Sequence, residues 1–281
     1  MQIFKKQKDL NLFLESEREK SNFIALVPTM GGLHDGHLSL VAKAKNLAEI
    51  VVVSIFVNPT QFARGEDFDD YPNTFENDKF LLESKKIDVL FIPSKEEIYP
   101  HGTESDYKVG AIGQILCGAF RPSHFDGVAQ VVKRFFEIVK PNYAVFGEKD
   151  FQQLLIIKSL VKNLHLDIKI DSMPTQREHD GLAMSTRNQY LSDIDRERAP
   201  HFYSVLIATR DLILGGKAIS EAREMATNSL SKSFEVEYFD VLNANNLTQI
   251  ETKTSEIIII SAIRFGGTRL IDNLVFRRKN V

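Results

Sequence analysis

Two histidines three residues apart, His34 and His37, follow a glycine pair, Gly31 and Gly32, in the string PTMGGLHDGH from Pro28 to His37. Adjacent glycines permit a tight turn and let a ligand approach the main chain. A helix beginning near Gly36 would aim unsatisfied backbone N–H groups and the positive end of its dipole into the same space. Together these are the parts of a phosphate site. At this spacing the two imidazoles lie on nearly one helical face. There they could donate to phosphate oxygens or share charge developing on an α-phosphate. The same H-x-x-H spacing also suits half of a metal site or a surface pair, although no carboxylate or cysteine at ligand spacing accompanies it. The single cysteine, Cys117, stands between Leu116 and Gly118 and reads as filler rather than as a nucleophile. Being alone it excludes an internal disulfide, which fits a reducing compartment.

The elements around this string follow from hydrophobic patterning. Short β-rich runs at 23–28, 50–57, 88–93, 143–146 and 167–173 alternate with helical patterns at 36–48, 73–86, 126–139 and 150–163. The run at 50–57 is continuously β-branched, as in a strand buried on both faces. Such alternation predicts an α/β fold, a Rossmann-like doubly wound parallel sheet over residues 1–175. Beyond it the pattern changes to helices at 193–214 and 220–233 and alternating strands at 234–241 and 254–265. That predicts a smaller α+β domain over residues 176–281 that closes over the site. In such folds ligands bind beyond the carboxyl ends of the parallel strands. The 281 residues carry a formal net charge of −3, so no global basic field draws the protein to nucleic acid. The longest apolar runs are far short of a membrane span. The first eight residues are polar and lysine-rich, with no apolar stretch of a signal peptide behind them.

His34-Asp35-Gly36-His37 resembles the H-x-G-H signature of the nucleotidyltransferase superfamily, and PTMGGLHDGH as a whole is similar to the pantothenate synthetase family. Further segments match that family in order: FVNPTQF from Phe56, YPNT from Tyr71, EIYP from Glu97, RPSHFDGV from Arg121, FGEKDFQQ from Phe146, DGLAMSTRN from Asp180 and LIDN from Leu270. They span nearly the whole chain. The family's usual Ser-Ser-Arg is Ser185-Thr186-Arg187 here; threonine keeps the hydroxyl and adds a methyl group.

The resemblance implies an AMP-forming, ATP-dependent ligase that joins pantoate to β-alanine through a pantoyl-adenylate. It implies ATP contacts from Met30, Gly31, Gly32, Leu33, His34, Asp35, Gly36 and His37. Others would come from Gly147, Glu148, Lys149 and Asp150, and from Gln176, Met184, Ser185, Thr186 and Arg187. His37 is the expected catalytic histidine, with His34 and Lys149 sharing the phosphate chemistry. Gln61 and Gln153 would hold pantoate, and Gln61 and Arg121, with His124, the β-alanine end. Asn58 would steady its loop or touch substrate. Magnesium is expected to bridge phosphate oxygens without a dedicated protein cage; Asp78 could help place it through water. Glu66, Asp67, Asp69 and Asp70 read as a solvated acidic face. The resemblance further implies a cytoplasmic homodimer with small-molecule substrates and no nucleic-acid or membrane partner. The rival reading is another adenylyl- or cytidylyltransferase of the superfamily, which keeps the nucleotide on its product; Gln61, Gln153 and the RPSHFDGV segment favour the ligase. A dinucleotide-binding dehydrogenase is disfavoured because G-x-G-x-x-G is absent after the first strand.

Overall fold

The computed structural model describes residues 1–63, 65–104 and 107–278. Six short strands, β1 (Gln2–Phe4), β2 (Ile24–Thr29), β3 (Ile50–Ile55), β4 (Val89–Phe91), β5 (Tyr143–Gly147) and β6 (Lys169–Met173), form one sheet in the order β1-β4-β3-β2-β5-β6. Every pairing in it is parallel. Helices α1 (Gln7–Glu19), α2 (Asp35–Lys45), α3 (Phe75–Ser84), α4 (Lys95–Ile98), α5 (Cys117–Phe120), α6 (His124–Val139) and α7 (Phe151–Asn163) connect the strands.

Strand β2 shows why helices cover both faces. Its side chains alternate: Ile24 and Leu26 enter a core with Leu10 and Leu14 of α1 and Phe135 of α6. Ala25 and Val27 enter another with Leu38 and Val41 of α2 and Leu82 of α3. From β2 the chain runs outward through β3 and β4, then resumes on the other side at β5 and β6. The gap between the carboxyl ends of β2 and β5 is therefore a topological switch point. Pairing of β2 with β3 continues to Thr29↔Ile55, whereas pairing with β5 is confined to Ala25↔Tyr143 and Leu26↔Ala144. Pro28, which has no N–H to give, lies beyond that last pair.

By contacts the chain forms two compact units, Met1–Glu148 with Gln153–Pro174, and Lys149–Gln152 with the chain from Thr175 onward. The second unit packs α8 (Asp193–Arg198), α9 (His201–Leu214) and α10 (Ile219–Leu230) with a three-stranded antiparallel sheet, β7 (Glu235–Asn243), β8 (Glu256–Phe265) and β9 (Thr268–Arg277). Phe202 and Leu206 of α9, Leu230 of α10, and Ile257, Ile259 and Ile263 of β8 make its core.

Three differences from the sequence reading have physical causes. The helix expected over 193–214 is two helices, α8 and α9, with Pro200 at the N-cap of the second; proline has no N–H to continue the first. β1 and α1 escaped the pattern because β1 is a three-residue edge strand and α1 buries only Leu10, Leu14 and Glu17. β9 lacks a clean apolar alternation because Asp272 and Asn273 occupy buried positions in it. Among the described residues no helix is long and apolar enough to cross a membrane.

Candidate active site

The glycine turn leaves β2 at the switch point and is held from below by one carboxylate. Asp78, in the first turn of α3 and 1% exposed, accepts from Gly32 N at 3.0 Å through Oδ2 and from Leu33 N at 2.8 Å through Oδ1. Thr74 Oγ1 donates to the same Oδ1 at 3.1 Å, and the helix N-terminus favours the negative charge. Gly31 has a φ of 82°, and a Cβ there would sit 3.1 Å from Asp78 Oδ2, so this position requires glycine. Gly31 N in turn donates to Thr29 Oγ1 at 3.3 Å, and Thr29 Oγ1 donates to Ser54 O at 2.7 Å. These bonds engage the N–H groups of Gly31, Gly32 and Leu33 within the turn, as a buried main chain requires. Asp78 is thereby committed to holding the loop.

The two histidines cap α2 reciprocally. Gly36 N donates to His34 Nδ1 at 3.1 Å, and His34 N donates to His37 Nδ1 at 3.4 Å; the ring centroids are 4.2 Å apart. A backbone N–H can only donate, so both Nδ1 atoms accept. A neutral ring then carries its proton on Nε2.

A second turn, Pro59–Gln61, follows β3 and is organised by Asn58, also 1% exposed. Asn58 Oδ1 accepts from Thr60 N, Thr60 Oγ1 and Tyr99 Oη, the last at 2.7 Å, while Nδ2 donates to Gly127 O and Gln61 Oε1 at 3.2 Å each. Burial pushes the Tyr99 hydroxyl up to about 12, so it remains a donor. Helix α6 approaches this turn so closely that a Cβ on Gly127 would fall 2.2 Å from Thr60 O. With Oε1 held by Asn58, Gln61 turns Nε2 to Met30 Sδ at 2.9 Å, which brings Met30 and Gln61 together. Gln153 lies partly buried in the first turn of α7.

Arg121 is not an open cation for a carboxylate ligand. Its Nε and Nη2 each reach a Glu66 carboxylate oxygen at 2.6 Å, Nη2 also donates to Gln61 O at 3.2 Å, and Nη1 meets His124 Nε2 at 3.0 Å. A guanidinium only donates, so His124 Nε2 accepts and its Nδ1–H donates to Gln61 O at 2.7 Å. Glu66 therefore leaves the solvated acidic face expected for it. Burial alone would raise its carboxyl, but the hydrogen bonds and charge of Arg121 outweigh this and hold it below the usual range.

The remaining expected residues divide between the units. Glu148, in the first, accepts from Ser172 Oγ at 2.8 Å. In the second, Lys149 O accepts from Asn273 Nδ2 at 3.0 Å, and Met184 N donates to Gln176 O at 2.9 Å. Ser185 Oγ accepts from Arg187 N at 3.3 Å, capping the turn Thr186–Tyr190. Sequence pattern assigns Asp78, Arg177 and Asp272 no loop- or turn-holding role: the burial of Asp78 and Asp272 has no compositional signature, although Asp272 lies in the matched LIDN segment. Among the described residues no group of three or more His, Cys, Asp or Glu is placed to hold a metal ion.

The family model described as Pantoate-beta-alanine ligase matches residues 2–275. The pantothenate synthetase of Vesicomyosocius okutanii subsp. Calyptogena okutanii is 51% identical over 264 residues, covering 94% of this chain and 93% of its own. That of Ruthia magnifica subsp. Calyptogena magnifica is 47% identical over 278 residues, 99% and 100% respectively. The crystal structure of pantothenate synthetase from Thermus thermophilus matches with a TM-score of 0.91 at 40% identity, covering 98% of this chain and 99% of that one. The pantoate-beta-alanine ligase of Francisella tularensis, complexed with beta-gamma ATP and beta-alanine, matches with a TM-score of 0.83 at 36% identity, covering 98% and 97%.

Asp78→Ala would leave two backbone donors without their acceptor and is expected to cost at least about 1–3 kcal/mol, with Asp78→Asn in between. Urea midpoints at constant slope measure this; a wild-type midpoint for the alanine variant would contradict the loop-holding role. The depressed Glu66 carboxyl stabilises the fold fully above its ordinary range, and that contribution is lost as pH falls through the depressed value. Glu66→Gln should therefore show a shallower loss of stability on acidification than the wild type; identical slopes would show that the pair contributes nothing.

Proposed function

The chain belongs to the pantoate–β-alanine ligase family and is an ATP-dependent ligase forming pantothenate; from that premise we propose how its residues divide the reaction. A carboxylate is a poor acyl donor because its leaving group would be oxide. In the first step a carboxylate oxygen of (R)-pantoate attacks the α-phosphorus of ATP, and the bond to pyrophosphate breaks. In the second the amine of β-alanine attacks the acyl carbon, the bond to AMP breaks, and the ammonium proton is lost. For the first step the protein supplies position and charge stabilisation.

The observation that carries this assignment is the reciprocal His34–His37 cap, whose Nδ1 atoms both accept from the main chain. Nε2–H of His37, assisted by His34, donates to the α-phosphate as charge builds there. Gln61, oriented by Asn58 beside Met30, and Gln153 hold pantoate; amides pair with hydroxyl and carboxylate oxygens without adding a charge to desolvate. Lys149, Ser185, Thr186 and Arg187 take the charge of the phosphates, and Gly147, Glu148, Asp150, Gln176 and Met184 line the nucleotide. Arg121 acts on the β-alanine end by setting Gln61 O rather than by binding the carboxylate outright.

Magnesium fits this donor set as a passenger of the nucleotide, since the buried Asp78 is engaged with the loop; when bound it offsets phosphate charge. Residues 1–175 would form the Rossmann-like domain, and residues 176–281 the smaller domain that moves to shield the adenylate from water. Family likeness supports a homodimer, and the single cysteine is in keeping with the cytoplasm.

AMP and pyrophosphate release from ATP and magnesium tests the reading. Sustained AMP release only with pantoate and β-alanine together is expected. ATP binding without turnover would overturn the substrate assignment in favour of another nucleotidyltransferase. His37→Ala should lower turnover on the order of 10²-fold or more; near-wild-type turnover would remove His37 from the chemistry.

A further inference from the structure

We propose that the Arg177–Asp272 ion pair, together with Asn273, is a positioning device that fixes the main chain at Lys149 and the segment from Gln176 to Arg187 in one register. The inference rests on the reading above that both segments handle the nucleotide. Asp272 is buried in β9, opposite Ser261 of β8. Its carboxylate accepts Arg177 Nη1 at 2.7 Å and Nη2 at 2.9 Å, a two-pronged pairing that fixes direction as well as distance. The same guanidinium donates to Gly181 O at 3.1 Å and to Asn273 O at 3.2 Å. It also lies over the Tyr203 ring, 3.4 Å from its centroid, where the cation is attracted to the ring face. Arg177 is thus tied at once to its own hairpin, to β9 and to α9.

Each end of this network reaches an expected nucleotide segment within the second unit. On one side the hairpin closes through the Arg177↔Ala183 bridge and Met184 N to Gln176 O. Asn188 Nδ2 donates to Ala183 O at 3.0 Å, fixing the turn that begins at Ser185. On the other side Asn273 N donates to Asp272 Oδ1 at 2.7 Å, and Asn273 Nδ2 donates to Lys149 O. Burial pushes the Asp272 carboxyl up against the opposing pull of Arg177. An apolar pair of similar volume would fill such a site at least as stably. The directional bonds to two separate segments are what an apolar pair could not supply.

The test combines kinetics with hydrogen exchange. Turnover is measured for wild type, Lys149→Ala, Asn273→Ala and the double variant. Exchange is followed over 148–152 and 176–188 in Asn273→Ala and Asp272→Asn, with Arg223→Ala, which breaks a surface pair with Asp240, as the control. Asn273→Ala should lower kcat by about 10- to 100-fold with the KM for pantoate unchanged. The double variant should be no slower than Lys149→Ala alone, because Asn273 acts through Lys149. Exchange should quicken near Lys149 in Asn273→Ala and in both segments in Asp272→Asn, but not in the control. Additive losses, or unchanged exchange in Asn273→Ala, would overturn the proposal even if Asp272→Asn fails to fold. Absence of ATP turnover in the wild type would instead remove the proposed function, and exchange alone would then decide the positioning claim.

Discussion

A buried carboxylate beneath a glycine turn is the constraint on which the candidate site depends. The chain leaving β2 must reverse into α2 within a few residues, and its N–H groups need partners wherever water is excluded. Asp78 meets two of them from a different helix, and Thr29 meets a third from the strand itself. A turn so held is fixed in place before any ligand arrives, and the start of α2 is fixed with it. The histidines inherit that order.

The same logic recurs elsewhere within each unit. Asn58 organises the turn after β3 much as Asp78 organises the turn after β2, and through it Gln61 is aimed at Met30. Arg121 and Glu66 neutralise one another and act through the Gln61 main chain. In the second unit Arg177 and Asp272 tie the hairpin to β9, and Asn273 beside them donates to Lys149 O. Three of these organisers, Asp78, Asn58 and Asp272, are buried polar side chains with hydrogen-bond partners in place, an arrangement that preorganises donors for charge appearing in a transition state.

The parallel sheet was legible because Ile50–Ile55 and its neighbours are buried on both faces and so read as continuous apolar runs. The glycine turn and the paired histidines were legible because they sit in PTMGGLHDGH, one of several segments along the chain that match one family in order. What pattern could not reveal was how the polar residues are spent. Asp78 sits in the unremarkable helix FENDKF, and Glu66 stands in an acidic run that looks solvated; tertiary burial alone gives each its partner. The Gly31–Gly32 pair likewise reports the backbone conformation but not which acceptors its N–H groups meet. β9 was obscured because Asp272 and Asn273 interrupt its alternation where they serve the network rather than the core.

Nitrogen NMR of the imidazole side chains, with His34 and His37 assigned through single substitutions, tests the central claim most directly. In both rings Nδ1 should be unprotonated and Nε2 protonated at neutral pH, and addition of ATP should perturb Nε2 while Nδ1 keeps its acceptor state. A proton on Nδ1 of either ring would contradict the reciprocal cap, and with it the proposal that this loop presents imidazole donors to the phosphates.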